Sequence, residues 1–88
     1  MARQQLQNLT EPMYYVLLSL VEPRHGYGIM LFVREMSHGR VQIGAGTLYA
    51  LLSRFESEQL IDLVSNDGNK KTYRLSLEGK EVLLKEVR

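Results

Sequence analysis

The sequence has no cysteine. That absence removes disulfide frameworks, cysteine-based zinc sites and thiol nucleophiles together. It also has no apolar run near the roughly 20 residues that a membrane-spanning helix needs. The opening MARQQLQNLTEP carries one Arg and lacks the apolar segment of a signal peptide. A cytoplasmic location is therefore expected, with no membrane partner. An excess of one charge is missing too. Eleven Lys and Arg stand against ten Asp and Glu, for a net charge of +1. With 44% hydrophobic and 24% charged residues, the composition is that of an ordinary globular domain and excludes a disordered tail. No repeat, low-complexity tract or Pro/Gly/Ser-rich linker divides the 88 residues, so one domain is expected. A chain this short buries only about 60–65% of its unfolded surface. Assembly with a partner is expected to cover more.

The usual signatures of catalysis are absent as well. There is no P-loop, no nucleophile elbow and no set of residues at metal-ligand spacing. Gly44-Ala45-Gly46 resembles the start of a dinucleotide motif but lacks its third Gly and its strand–turn context. His25 and His38 have no carboxylate or thiol arrangement around them and are expected at the surface. Neither an enzyme nor a cofactor is expected.

What is present is a clear order of elements. Residues 1–9 are polar, with Gln4, Gln5 and Gln7, and read as a loose arm. Thr10-Glu11-Pro12 then starts a helix: Thr10 can cap, Glu11 suits the positive end of the helix dipole, and Pro12 fits the first turn. Met13, Val16, Leu17, Leu20 and Val21 recur at helical spacing on one face. Tyr14, Tyr15 and Leu18 make a second apolar face, as in helices buried on more than one side. Pro23 and Gly26 punctuate a break. A second helix follows from Tyr27 to about Met36 through Ile29, Phe32 and Val33, with Gly39 as its left-handed cap. Val41-Gln42-Ile43 alternates and reads as a very short strand.

Gly44-Ala45-Gly46-Thr47 opens a third helix running to about Glu58. Its core face is Leu48, Leu51, Leu52 and Phe55. Opposite lie Gly46, Ala50, Ser53 and Ser57, which permit close approach to a partner. Leu60–Val64 and Lys71–Leu75 read as two strands, joined by a turn-rich segment with the Asp67-Gly68 hairpin signal. Ser76 to Gly79 marks a boundary, and a fourth helix begins at about Glu78 with Val82, Leu83 and Val87 apolar. Three helices, a hairpin and a helix give an α+β fold, mostly helical: a winged helix-turn-helix. The domain is read as residues 10–77, with 78–88 starting a C-terminal dimerisation helix.

Four stretches in this order resemble the PadR-type transcriptional regulators. They are LTEPMYYVLLSL from Leu9, HGYGI from His25, GTLYALLSRFESEQLI from Gly46 and KKTYRLSLEGKEVL from Lys70. The resemblance spans about Leu9 to Leu84. It implies a DNA-binding repressor that acts as a homodimer on an inverted-repeat operator in double-stranded DNA. It also implies control by a small aromatic or cationic effector. Two positions depart from the family pattern. Gln59 stands where the family has Gly, so it must take a cap conformation that suits glycine better. Ser76 stands where Thr is usual, which keeps the hydroxyl. Family members also extend the last helix to build their dimer, whereas this pattern is still running at Arg88.

In a winged helix the third helix enters the major groove with its N-terminal residues near base edges. Thr47, Tyr49, Ala50, Ser53 and Arg54 are the candidates. Arg54 suits a guanine or a phosphate, and the hydroxyls of Thr47 and Tyr49 suit phosphates. Otherwise Tyr49 packs against the start of the second helix and Arg54 pairs with Glu58. The hairpin adds Lys70, Lys71 and Arg74, which fit phosphates or merely protect a solvated edge. Arg24, His25 and Tyr27 can grip the flanking backbone, unless Tyr27 plugs the core. Tyr14, Tyr15 and Leu18 form the candidate effector pocket or a plain dimer face. The rival reading is a winged helix that docks onto another protein and does not bind DNA.

Overall fold

A computed structural model describes residues 9–86. The chain runs through α1 (Glu11–Ser19), β1 (Arg24–His25), α2 (Gly26–Met36), α3 (Ala45–Ser57), β2 (Ile61–Asp67), β3 (Lys70–Leu75) and α4 (Leu77–Glu86). This is the α+β winged helix expected from the sequence. Most of the expected N-terminal arm and the last two residues lie outside the described part. Leu9, counted with the arm, is half-buried and packs against the core.

The local signals operate as their chemistry suggests. The Thr10 hydroxyl accepts the Met13 N–H at 3.3 Å, with Glu11 in the first turn and Pro12 beside it. Glu11 also pairs with Arg40 from the segment after α2. The helix ends at Ser19, earlier than the apolar spacing implies. Val21 therefore falls past the last turn and is 50% exposed rather than on the core face.

Helices α2 and α3 end alike. In α2 the Gly39 N–H donates to the Arg34 carbonyl at 2.7 Å and the His38 N–H to Glu35 at 3.1 Å. In α3 the Leu60 N–H donates to Phe55 at 2.9 Å and the Gln59 N–H to Glu56 at 3.0 Å. These are Schellman caps, whose pivot residue must be left-handed. The pivots are His38 (φ 57°) and Gln59 (φ 64°). Gly39 is left-handed too, at φ 80°, but it follows the pivot. Met36, the last member of the α2 apolar series, is exposed.

Val41–Ile43 is not a strand. The buried Ser37 hydroxyl accepts the Val41 N–H at 2.9 Å and lies 3.2 Å from the Val41 carbonyl oxygen. These contacts hold Val41 in a loop, with its side chain in the core. The third strand comes instead from Arg24–His25, which the sequence marked only as a break. The sheet order is β1-β3-β2, all antiparallel.

The hairpin strands extend further than expected, because Asp67 pairs with Lys70 and leaves a two-residue turn, Gly68-Asn69. Only Gly68 has a positive φ there, 64°, as in a II′ turn with glycine at its first central position. The register shifts between Leu63 and Ser65, so Val64 is a bulge residue on β2.

Ser76 caps α4. Its hydroxyl accepts the Gly79 N–H at 3.0 Å and donates to the Gln59 carbonyl at 2.7 Å. Gly79 is therefore not a boundary but lies inside α4, with the Leu60 carbonyl where a Cβ would stand. The Leu75 N–H donates to Leu20 at 2.8 Å, which ties the sheet to the end of α1. Leu17, Leu20, Ile29, Leu48, Phe55 and Leu60 fill the centre, each fully buried.

Candidate nucleic-acid interface

Helix α3 divides cleanly into two faces. Leu48, Leu52 and Phe55 are buried, while Gly46, Thr47, Ala50, Ser53, Arg54 and Ser57 are all exposed. Apolar spacing alone separated these sets. Gly44, extended at φ −83° and ψ 173°, is the N-cap and makes no side-chain cap bond. The first amide groups of α3 are thus not covered by a capping side chain.

Tyr49 belongs to both faces. It is 49% exposed, yet its phenol lies over the Cα of Gly26, where a Cβ would collide with the hydroxyl and approach Cζ to 3.1 Å. The packing reading of Tyr49 is therefore met, and half of its surface remains open. Tyr27, one residue further along α2, is 64% exposed and is not a core plug. His25 is half-buried rather than free at the surface, as the N-cap of α2 and the register partner of Thr72.

Arg24 turns away from the solvent front. Its Nε–H donates to the Ser19 carbonyl at 2.7 Å, and its guanidinium lies 4.7 Å from the Phe32 ring centroid. It joins the end of α1 to α2, where a carbonyl and an aromatic face both favour a cation. Sequence reasoning grouped Arg24 with the backbone-gripping residues. The spacing carries no signal for the Ser19 contact.

Lys70, Lys71 and Arg74 are exposed along β3. The register places Asp67 opposite Lys70, Asn66 opposite Lys71 and Asp62 opposite Arg74. Two of the three wing cations thus have a carboxylate as cross-strand neighbour, a favourable pairing that partly neutralises both. Lys71 faces an uncharged amide. Between them Tyr73 is buried, and burial pushes its phenol pKa up, with Glu56 and Tyr49 adding to the rise.

Tyr14, Tyr15 and Leu18 are half-buried against the core. The two tyrosine rings meet edge-on, with centroids 5.6 Å apart and planes at 71°. Leu84 is exposed on α4. No group of metal-ligating residues and no helix long and apolar enough to cross a membrane occurs among the described residues.

The model of the Transcriptional regulator PadR-like family matches residues 16–85. This chain belongs to that family. A PadR family transcriptional regulator from Eggerthella lenta DSM 2243 is 33% identical, with a TM-score of 0.70 over 93% of this chain and 72% of that one. A transcriptional regulator from Clostridium thermocellum is 25% identical, with a TM-score of 0.74 over 85% and 75%. RosR of H. salinarum, at 24% identity, shares the fold with a TM-score of 0.79 over 99% and 74%. Among sequence relatives, an uncharacterised 37.1 kDa protein in transposon TN4556 of Streptomyces fradiae is 35% identical over 73 residues. Those residues are 82% of this chain and 21% of that protein. Protein X of Lysinibacillus sphaericus is 34% identical over 70 residues, 75% of this chain and 64% of its own length. The PadR-like chain spans less than two thirds of either relative. By family it groups with transcriptional regulators.

Proposed function

We propose that this PadR-like regulator binds double-stranded DNA as a homodimer on an inverted repeat and represses transcription in the cytoplasm. The outward face of α3 carries the reading. From Gly46 to Arg54 it exposes small and hydroxyl side chains and one guanidinium, with no carboxylate in the segment. Such a face can approach a groove without repelling phosphates. The N-terminal part of α3 enters the major groove. Arg54 meets a guanine or a phosphate, and Thr47, Ser53 and the Tyr49 hydroxyl contact phosphates while Ala50 leaves room for the bases. Lys70, Lys71 and Arg74 follow the flanking backbone, with Tyr27 and His25 beside the head of α2. Two protomers give two half-sites by symmetry. Tyr14, Tyr15 and Leu18 meet the partner protomer's last helix and form the face on which a small aromatic or cationic effector acts.

The test is selection of bound duplexes from a random pool, followed by anisotropy titrations at low and high salt. An enriched inverted repeat with steep salt dependence is expected, because phosphate contacts release counterions. No enrichment by a folded dimer would move the α3 face to protein recognition.

A further inference from the structure

Strand β2 has seven residues and β3 has six, and both ends of their ladder are fixed. Ile61 and Leu75 are paired and buried in the core. At the other end Asp67 pairs with Lys70 across the two-residue turn that Gly68 permits. One residue of β2 is therefore surplus, and it is Val64. Leu63 pairs with Tyr73, and Ser65 pairs with Thr72, the next residue of β3. Val64 is 45% exposed and belongs neither to the core nor to the side chains packed against it.

The surplus falls where burial stops. Every residue from Ser65 to Lys71 is exposed, so no packing sets the direction of the outer hairpin, and the ladder at Val64 does. A bulge bends its strand and increases the local twist. Lys71 pairs with Asn66, two residues and about 7 Å beyond the bulge at about 3.4 Å per residue. Side chains two apart share a face, so Lys71 projects from the face of Tyr73. That face looks toward α3, since Glu56 and Tyr49 lie near enough to raise the Tyr73 pKa. The bulge thus sets the angle at which Lys71 and the exposed face of α3 meet one duplex. We propose that Val64 is a positioning residue: as an extra residue, not through its side chain, it aims Lys71 at the phosphates flanking the half-site that α3 reads. The assignment rests on DNA binding by α3 and the wing.

The experiment uses the full chain and the selected duplex. It reads the slope of log K against log salt and the backbone stretches protected from hydroxyl radicals. Three variants are compared: deletion of Val64, insertion of one Ala after it, and Val64→Thr. The deletion leaves every cross-strand pair available, because Tyr73 and Thr72 are already adjacent, and the insertion enlarges the bulge without touching the turn or the core. Urea midpoints identify which length variants are folded. Each folded length variant is expected to flatten the slope by about 1.8, the share of two Lys71 contacts in a dimer. It should lose the flanking protection and keep that of the α3 half-site, and adding Lys71→Ala should flatten it no further. Val64→Thr keeps the extra residue and should match the unaltered protein. The proposal is overturned by a folded length variant with unaltered slope and protection, or by Val64→Thr flattening the slope as much as the deletion. It is also overturned if Lys71→Ala has its full effect in a folded length variant. Failure of the unaltered protein to select a duplex would overturn the DNA-binding reading as well, whereas steep binding that survives both length changes overturns the role of Val64 alone.

Discussion

The phenol of Tyr49 occupies the space over Gly26 that a side chain there would need. The contact fixes α3 against the head of α2, so one glycine sets how the proposed reading helix sits. Gly26→Ala gains helix propensity but forces Tyr49 to move, and overpacking of this kind costs about 1–3 kcal/mol. A lower urea midpoint is expected for Gly26→Ala. Because the collision is with the hydroxyl, Tyr49→Phe should recover part of the loss. A double-mutant cycle measures that coupling, and additive effects would show that the two residues do not compete for this space.

The pivot of the cap on α3 is Gln59 at φ 64°, a conformation in which a Cβ is strained. Gln59→Gly should raise stability by about 0.5–1 kcal/mol, after the greater freedom of glycine in the unfolded chain is set against the relieved strain. The side chain is exposed, so little packing is lost. Chemical denaturation checks the sign, and an unchanged or lower midpoint would mean that the Schellman geometry does not strain Gln59.

The helices were legible because their signals are local. Thr10-Glu11-Pro12 starts α1, and the spacing of Leu48, Leu52 and Phe55 separates the buried face of α3 from its exposed one. Strand β1 was not legible. Two residues become a strand only because Tyr73 and Thr72 arrive beside them from 49 and 47 positions later. Val41–Ile43 shows the converse, since an alternating pattern stays a loop when a neighbouring hydroxyl takes its backbone N–H. In the candidate site, exposure of Thr47, Ala50, Ser53 and Arg54 followed from periodicity. The inward turn of Arg24 did not, because its partners are a carbonyl at the end of α1 and a ring on α2. The charge pairing on the wing was also hidden, because it depends on where the turn falls within the segment from Ser65 to Lys70.

Tyr73 makes stability sensitive to alkali. Its pKa is raised above the ordinary 10.0, first by burial and then by Glu56 and Tyr49. The unfolded phenol therefore loses its proton first as pH rises. Below pH 10 the group contributes its full share to stability; between 10 and the folded pKa that share drains away, because the native state holds the proton longer. Tyr73→Phe removes the titration. Urea midpoints for the two proteins should differ by a constant amount below pH 10 and shift in favour of the Tyr73→Phe variant above it. A difference that stays flat through pH 11 would contradict the raised pKa.

The register of the wing makes its cations unequal. Lys70 faces Asp67, whereas Lys71 faces Asn66, so Lys71 should carry most of the phosphate contact proposed for this hairpin. Each phosphate neutralised adds about 0.9 to the slope of log K against log salt. In a dimer, Lys71→Ala should therefore flatten that slope by about 1.8. Lys70→Ala should change it less. Asp67→Asn should act in the opposite direction, since it leaves Lys70 without its cross-strand carboxylate. Anisotropy titrations of the selected duplex between 50 and 200 mM salt measure all three. Equal slopes for Lys70→Ala and Lys71→Ala, with no steepening by Asp67→Asn, would mean that the cross-strand carboxylate does not govern what the wing offers to DNA.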